Sequence, residues 1–293
     1  MKLLKEVEND INAPLSFVEQ VSDQRGATVH KVLDSNSTLY ALKSSSECSP
    51  EQNNAYDAVE LIQHESNILK SIPEETGNIY VADGLVDNAA WLLTKWVSGN
   101  TAFEESKNIK KSFSDDEQKS KLTSLITRFF ESIYTIHSSG YLHGDLQPKH
   151  ALVKANGSIQ LIDYGISKKV DDVNFKYRGG LVHFCSPEVC AGMLRNLDAI
   201  PITIASEIYS ASSVAFFLYT HKTSTFYGGY DFQNISFENM LKSIMSDGHT
   251  SFFQAGANDF PELEDIISKC MEIEPENRYQ TLSDAIVDLK SIY

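Results

Sequence analysis

Four ionisable residues, Lys43, Glu65, Asp145 and Asp163, stand where regular structure would hold them. Lys43 ends the strand pattern LYALK, Glu65 lies in the helical stretch HESNIL, Asp145 sits in the loop HGDLQPKH, and Asp163 follows a strand in LIDYG. Phosphoryl transfer is a chemistry that calls for this set. A triphosphate needs a fixed cation, which a lysine on a rigid strand supplies, and the flexible lysine needs an anion such as Glu65 to hold it. Asp163 suits a Mg²⁺ ion, which favours one or two carboxylates plus phosphate oxygens. Asp145 is placed to orient an acceptor hydroxyl and take its proton.

These residues depend on elements that change in character near residue 100. Before it, the β-rich runs ATVHKVL, LYALKS, NIYVADGLV and AAWLLTKWV alternate with turn residues. One helical pattern, AYDAVELIQHESNILKSI, follows the polar interval 44–57 and buries Ala58, Leu61, Ile62, Ile68, Leu69 and Ile72. After residue 100 the pattern is mostly helical. KLTSLITRFFESIYTIHSSG carries Leu122, Leu125, Ile126, Phe129, Phe130, Ile133 and Ile136 at helical spacing, with Gly140 as its C-terminal stop. ALVKA and IQLID flank Asn156-Gly157 and predict a hairpin. The last stretch reads as two helices joined near Pro275.

A chain of 293 residues, 42% hydrophobic, can bury a large core. Its net charge of −15 and pI near 4.9 argue against nucleic acid or an anionic membrane as partner and favour solubility. Cys48, Cys185, Cys190 and Cys270 form no C-x-x-C pair, which suits a reduced cytoplasmic chain. MKLLKEVEND turns acidic by Glu6 and lacks the apolar core of a signal peptide, and the most apolar run, SSVAFFLY, is too short to insert in a membrane.

With the elements in this order, the chain resembles the protein-kinase superfamily over nearly its whole length. YALK is similar to the strand element V-A-I-K, HGDLQPKH to the catalytic loop H-R-D-L-x-x-x-N, DYG to D-F-G, and CSPEV to A-P-E. SEIYSASSVAFFLY is similar to the family's central buried helix, with Glu207 in place of the usual aspartate. EPENRYQTLSDAI is similar to its closing segment, where Arg278 would pair with Glu188. The resemblance implies an α+β, bilobal fold. Residues 1–95 would form a small β-rich N-lobe with one main helix, 96–100 a hinge, and 101–293 a larger, mostly helical C-lobe with the catalytic loop and activation segment. It implies ATP with Mg²⁺, or Mn²⁺ as the alternative. Lys43, Glu65, Gly26, Val29, Ala41, Thr94, Lys95, Trp96 and Val97 would contact the nucleotide, and Asp163 and His150 would hold metal. Gly26, in VSDQRGATVHKV, either approaches a phosphate through the backbone or makes a plain hairpin turn. Trp96 either belongs to the adenine-binding connector or packs between lobes.

Departures gather around Asp145. Gly144 replaces the arginine that clamps a phosphorylated activation segment, so switching by such a phosphate is not expected, and the candidate phosphorylation sites Ser167 and Tyr177 lack that docking group. HGD is also similar to small-molecule phosphotransferases of the aminoglycoside-kinase type. Gln147 stands where a lysine would meet the transferred phosphate, and Lys149, two places on, is the candidate substitute. His150 replaces an asparagine metal ligand, and a neutral imidazole suits Mn²⁺ or Zn²⁺ better than Mg²⁺. Leu181 replaces a threonine that steadies the loop, Tyr164 replaces the phenylalanine of D-F-G, and His143 is a scaffold residue in the family. The catalytic set is therefore Asp145, Lys43, Gln147 and Lys149. Retention of Lys43, Glu65, Asp145 and Asp163 favours active transfer to a hydroxyl, with protein serine or threonine as the leading acceptor. The alternatives are a pseudokinase that regulates a partner by conformation and a small-molecule kinase.

Overall fold

The computed structural model describes residues 2–24, 26–45, 57–73, 76–227, 235–246 and 249–292. Cys48 and most of the polar interval 44–57 lie outside them. The chain divides into two units, Met1–Val97 with Tyr164–Ile166, and Ser98–Asp163 with Ser167–Tyr293.

In the first unit, helix α1 (Lys2–Ile11) precedes strands β1 (Leu15–Gln24), β2 (Ala27–Asp34) and β3 (Leu39–Ser45). Helix α2 (Ala58–Ser71) follows, then β4 (Tyr80–Val86) and β5 (Ala89–Lys95). The strands form an antiparallel sheet in the order β1-β2-β3-β5-β4. Helix α2 starts where the Asp57 carboxylate accepts the amides of Val59 and Glu60, and it buries Ile62, Glu65, Ser66, Ile68 and Leu69.

The sequence pattern predicts a single main helix here, and α1 is an addition to it. Leu3, Leu4, Val7 and Ile11 recur at helical spacing, and Val7 is fully buried with Leu15, Val32, Leu42, Val86, Trp91 and Leu93. Strand β1 is also absent from the expected strands. Register shifts between Phe17 and Glu19 and between Gln20 and Ser22 break its two-residue alternation, which hides it from a periodicity test.

The second unit begins with β6 (Asn100–Thr101), α3 (Ala102–Ser112) and α4 (Asp115–Ser138). Short strands β7 (Tyr141–Leu142), β8 (Ala151–Val153), β9 (Ile159–Leu161) and β10 (Lys168–Lys169) follow, then α5 (Pro187–Leu194), α6 (Ile204–Thr220), α7 (Phe237–Ser246), α8 (Pro261–Cys270) and α9 (Leu282–Ser291). Glu117 reaches back to the Ser114 amide to open α4, and Gly140 follows its end at a φ of 82°, a left-handed value that glycine adopts without steric cost. The predicted hairpin is present: β8 pairs antiparallel with β9, and β6 pairs with β8 on its other side. No helix among the described residues is long and apolar enough to cross a membrane.

Helix α6 is buried almost all round, and a charged brace closes the elements beside it. The Arg278 guanidinium makes a two-pronged bond to Glu188 at 2.8 and 2.9 Å. It also donates to the carbonyls of Glu272, Ala205 and Ile273. All the bonded nitrogens have partners, so the buried charge is compensated. Arg278→Ala should lower unfolding stability by about 3–5 kcal/mol, because Glu188 and three carbonyls lose their donors together. Arg278→Lys should recover little of it, since an ammonium cannot reproduce the planar fork. Urea denaturation of the three proteins measures this, and a lysine variant as stable as wild type would contradict the argument.

Candidate active site

Lys43 projects from β3, where Val29 lies opposite it on β2. Its ammonium meets Glu65 Oε2 at 2.7 Å, and the Glu65 carboxylate is almost completely buried. The other oxygen of Glu65 accepts the Tyr164 amide at 3.0 Å. A buried carboxylate is tolerable only when both oxygens find partners, and here a cation and a backbone N–H take one each. The carboxylate thus holds both the lysine head and the backbone directly after Asp163.

Other expected nucleotide contacts lie in the same sheet. Ala41 and Thr94 face each other across β3 and β5. Gly26, at a φ of 76°, lies in the turn where Gln24 pairs with Ala27. The Lys95 amide donates to the Ile79 carbonyl at 2.7 Å and the Trp96 amide to the Leu39 carbonyl at 3.1 Å. Both donors are therefore occupied by the sheet, and Val97 is the next amide in the chain. Lys31 lies 4.6 Å from the centre of the Trp96 ring, a cation–π contact within this unit.

In the second unit, Asp145, Gln147, His150 and Asp163 come together. Asp145 Oδ2 accepts the Gln147 side-chain amide at 3.0 Å, and Oδ1 accepts the Leu181 backbone amide at 3.2 Å. His150 Nδ1 lies 3.0 Å from the Asp145 carbonyl oxygen, which can only accept, so Nδ1 carries a hydrogen. In the neutral ring Nε2 then presents its lone pair, 3.3 Å from Asp163 Oδ2. A lone pair facing a carboxylate oxygen is repulsive until a proton or a metal cation lies between them, so this pair fits a divalent ion as an N,O donor set. Asp163 takes a φ of 66°, a costly conformation for a residue other than glycine that concentrates at functional sites. Its side chain is 41% exposed, against 8% for Asp145. Among the described residues no three His, Cys, Asp or Glu side chains gather as a metal site, so an ion here would complete its shell with other oxygens. Lys149 is exposed while its neighbours are buried, and Gln147 is the side chain that reaches Asp145.

The family model described as protein kinase domain matches residues 20–287. The chain belongs to the protein kinase domain family. It is 25% identical over 168 residues to a probable serine/threonine-protein kinase PknB of Lactococcus lactis, an alignment covering 56% of this chain and 25% of that protein. It is also 24% identical over 223 residues to a probable serine/threonine-protein kinase of Clostridium acetobutylicum, covering 73% of this chain and 30% of that protein. A third probable serine/threonine-protein kinase, of Clostridium perfringens, is 28% identical over 159 residues, covering 53% and 21%. The chain thus spans less than a third of the length of these relatives.

The kinase domain secures its catalytic loop by satisfying buried backbone groups one at a time. The His143 carbonyl accepts the Ser167 hydroxyl at 2.7 Å, the Gly144 amide donates to Glu207 Oε1, and the Gly144 carbonyl accepts the Tyr177 hydroxyl at 2.8 Å. The Asp145 amide donates to His143 Nδ1 at 3.3 Å, and the Asp145 carbonyl receives the His150 hydrogen. His143 Nε2 lies 3.1 Å from the Ile162 carbonyl, so the ring is the neutral tautomer with its hydrogen on Nε2. Burial holds the His143 pKa below its ordinary value against the opposing pull of Glu207. Glu207 Oε2 meets His137 Nε2 at 2.8 Å.

Several of these residues were not singled out as functional from sequence. His137 lies on the apolar face of a long helix and has no motif. Leu181 lacks the hydroxyl expected at its position, yet its amide performs the steadying. Gly180 carries no pattern, although a Cβ there would stand 2.8 Å from Asp145 Oδ1.

Burial pushes the Glu207 carboxyl up, but the bonds from His137 and the Gly144 amide outweigh it and leave the group below its ordinary 4.5. A carboxylate held low binds fewer protons folded than unfolded. Its stabilisation is therefore complete above pH 4.5 and is lost as pH falls through the folded value. Glu207→Gln should cost about 1.5–3 kcal/mol at pH 7 and give a flatter decline of stability below pH 4.5 than wild type. Urea midpoints recorded from pH 7 down to pH 3 test this, and parallel curves would remove the charge of Glu207 from the account.

Proposed function

We propose that this domain transfers the γ-phosphate of ATP to a hydroxyl group, with serine or threonine of a protein as the acceptor. The observation that carries the reading is the pair of prepared anionic centres. Glu65 holds both Lys43 and the backbone after Asp163, and the Asp145 carboxylate is aligned by two donors beside the His150–Asp163 pair. In this reading Lys43 binds phosphate oxygens, Asp163 and His150 hold the divalent metal, and Asp145 orients the acceptor hydroxyl and takes its proton. When bound, the nucleotide would supply the phosphoryl group and its metal would neutralise the phosphoryl oxygens. Val29 and Ala41 would cover the base, and Val97 would read its edge, because the Lys95 and Trp96 amides are engaged elsewhere. Gln147 holds Asp145 in place of a lysine, so charge on the transferred group falls to Lys43 and the metal. The serine/threonine names of the relatives support the choice of acceptor.

One observation favours a second reading. Both Asp145 oxygens are engaged and the side chain is 8% exposed, which suits a nucleotide-binding regulatory domain without transfer. Transfer of radiolabelled phosphate from ATP to the domain or to a generic protein acceptor separates the two. Asp145→Asn should reduce labelling at least about 100-fold, the ordinary contribution of a positioned base. Equal labelling in wild type and variant would remove Asp145 from its role, and no labelling with clear nucleotide binding would select the regulatory reading. ATP with Mn²⁺ or Mg²⁺ should raise the thermal midpoint of wild type, and Asp163→Ala should abolish the rise. His150→Asn should move the preference from Mn²⁺ towards Mg²⁺, since an imidazole nitrogen is replaced by an amide oxygen.

A further inference from the structure

The activation segment is tied to the catalytic loop at two points, four residues apart. The Tyr177 hydroxyl donates to the Gly144 carbonyl at 2.8 Å, and the Leu181 amide donates to Asp145 Oδ1 at 3.2 Å. Between them, Gly179 turns the chain at a φ of 98°. Gly180 runs so close to the loop that a Cβ would lie 2.8 Å from Asp145 Oδ1 and 2.9 Å from the Gly144 carbonyl oxygen. Tyr177 is itself fixed at its other end, where its carbonyl accepts the Ile200 amide at 2.7 Å, and only 3% of it is exposed. Lys176 and Arg178 on either side both face Asp198, but these pairs are exposed and screened, so the buried bonds carry the attachment.

We infer that Tyr177 is a positioning residue that latches residues 177–181 onto the catalytic loop and so aligns Asp145 without any phosphate on the activation segment. Its catalytic consequence rests on the phosphotransfer reading above; the latch itself does not. Three features support the inference. The side chain lands on the residue adjacent to Asp145, not elsewhere in the core. Gly144 has no side chain that could dock a phosphate, and the Tyr177 hydroxyl bonds the Gly144 backbone itself. The two glycines allow the segment to approach closely enough for the Leu181 amide to reach the carboxylate. The hydroxyl acts as a donor to a carbonyl oxygen. A phosphate ester on Tyr177 would lose that hydrogen and bring two negative charges into a buried site facing an acceptor, so modification at Tyr177 would open the latch.

Tyr177→Phe removes only the hydroxyl. The exchange rate of the Leu181 amide, read by native-state hydrogen exchange, should rise about three- to ten-fold, the worth of one ordinary hydrogen bond. The rate constant kcat for acceptor phosphorylation should fall by a similar factor, with KM for ATP unchanged. Tyr219→Phe, which deletes another buried tyrosine bond, to the Asn258 carbonyl, should leave both readouts at wild-type values. Phosphatase treatment of wild type should leave kcat unchanged. The latch is refuted if Tyr177→Phe matches wild type in Leu181 exchange, or if Tyr219→Phe shows the same losses. The positioning role is refuted if Tyr177→Phe keeps full kcat or if phosphatase-treated wild type loses activity. Should wild type transfer phosphate to no acceptor, the functional proposal fails while the exchange comparison still decides the latch.

Discussion

A buried run of backbone, His143 to Asp145, sets the terms for the second unit. Peptide groups removed from water must find partners inside the protein. Such a loop has no ladder of its own, so the partners have to come from side chains elsewhere. Glu207 arrives from α6 with His137 of α4 behind it, Ser167 and Tyr177 come from after D-Y-G, and His143 and His150 come from the loop itself. Each contact satisfies a group that would otherwise cost about 1–3 kcal/mol, so the helices and the activation segment are coupled to the position of one carboxylate. Replacing the family's aspartate by Glu207 is consistent with this. A longer acid reaches the Gly144 amide while its second oxygen is covered by His137.

The first unit solves a different problem with the same economy of groups. Glu65 is a charge in an apolar helix face, and it survives there because Lys43 takes one oxygen and the Tyr164 amide the other. Whatever moves the backbone after Asp163 strips a partner from Glu65, and a half-satisfied Glu65 no longer fixes Lys43. The positions of the Lys43 head and of the Tyr164 backbone are therefore linked through one carboxylate, a relation that neither motif shows when read alone.

Much of this was legible in the sequence, and the limits have physical causes. Long periodic helices such as α4, the β8–β9 hairpin with its Asn-Gly turn, and the Arg278–Glu188 pair were readable because each has a local signature or a motif. Helix α1 was hidden because its ten residues carry five charged side chains among four apolar ones, and its apolar face is evident only when the sheet is there to receive it. Strand β1 was hidden by its bulges. Residue types drew attention to Lys43 and Glu65 in the first unit and to Asp145 and Asp163 in the second, but contributions made by backbone left no trace. Leu181 acts through its amide and Gly180 through the absence of a Cβ. Lys149 illustrates the converse: its charge suggested a substitute for a lysine two places earlier, yet residues along an irregular loop point in different directions, and of these two only Gln147 turns inward.

The two donors to the Asp145 carboxylate are uncharged, which distinguishes this loop from the pattern it resembles. A lysine beside the carboxylate would both orient it and place a positive charge near the transferred phosphoryl group. Gln147 keeps the first effect and gives up the second, and the Leu181 amide likewise orients without adding charge. Orientation alone is worth a good deal, because a misplaced base loses rate steeply, but it does nothing for the charge developing on phosphoryl oxygens. On the phosphotransfer reading, that charge has to be met by Lys43 and by the ion at Asp163 and His150. The identity of residue 150 then matters more than it would beside a lysine. A histidine whose Nδ1 is committed to the Asp145 carbonyl presents its remaining nitrogen in a fixed direction, towards the Asp163 carboxylate. One imidazole ring thus meets both the Asp145 backbone and the Asp163 carboxylate, and on the phosphotransfer reading a change at position 150 would be felt by base and ion alike.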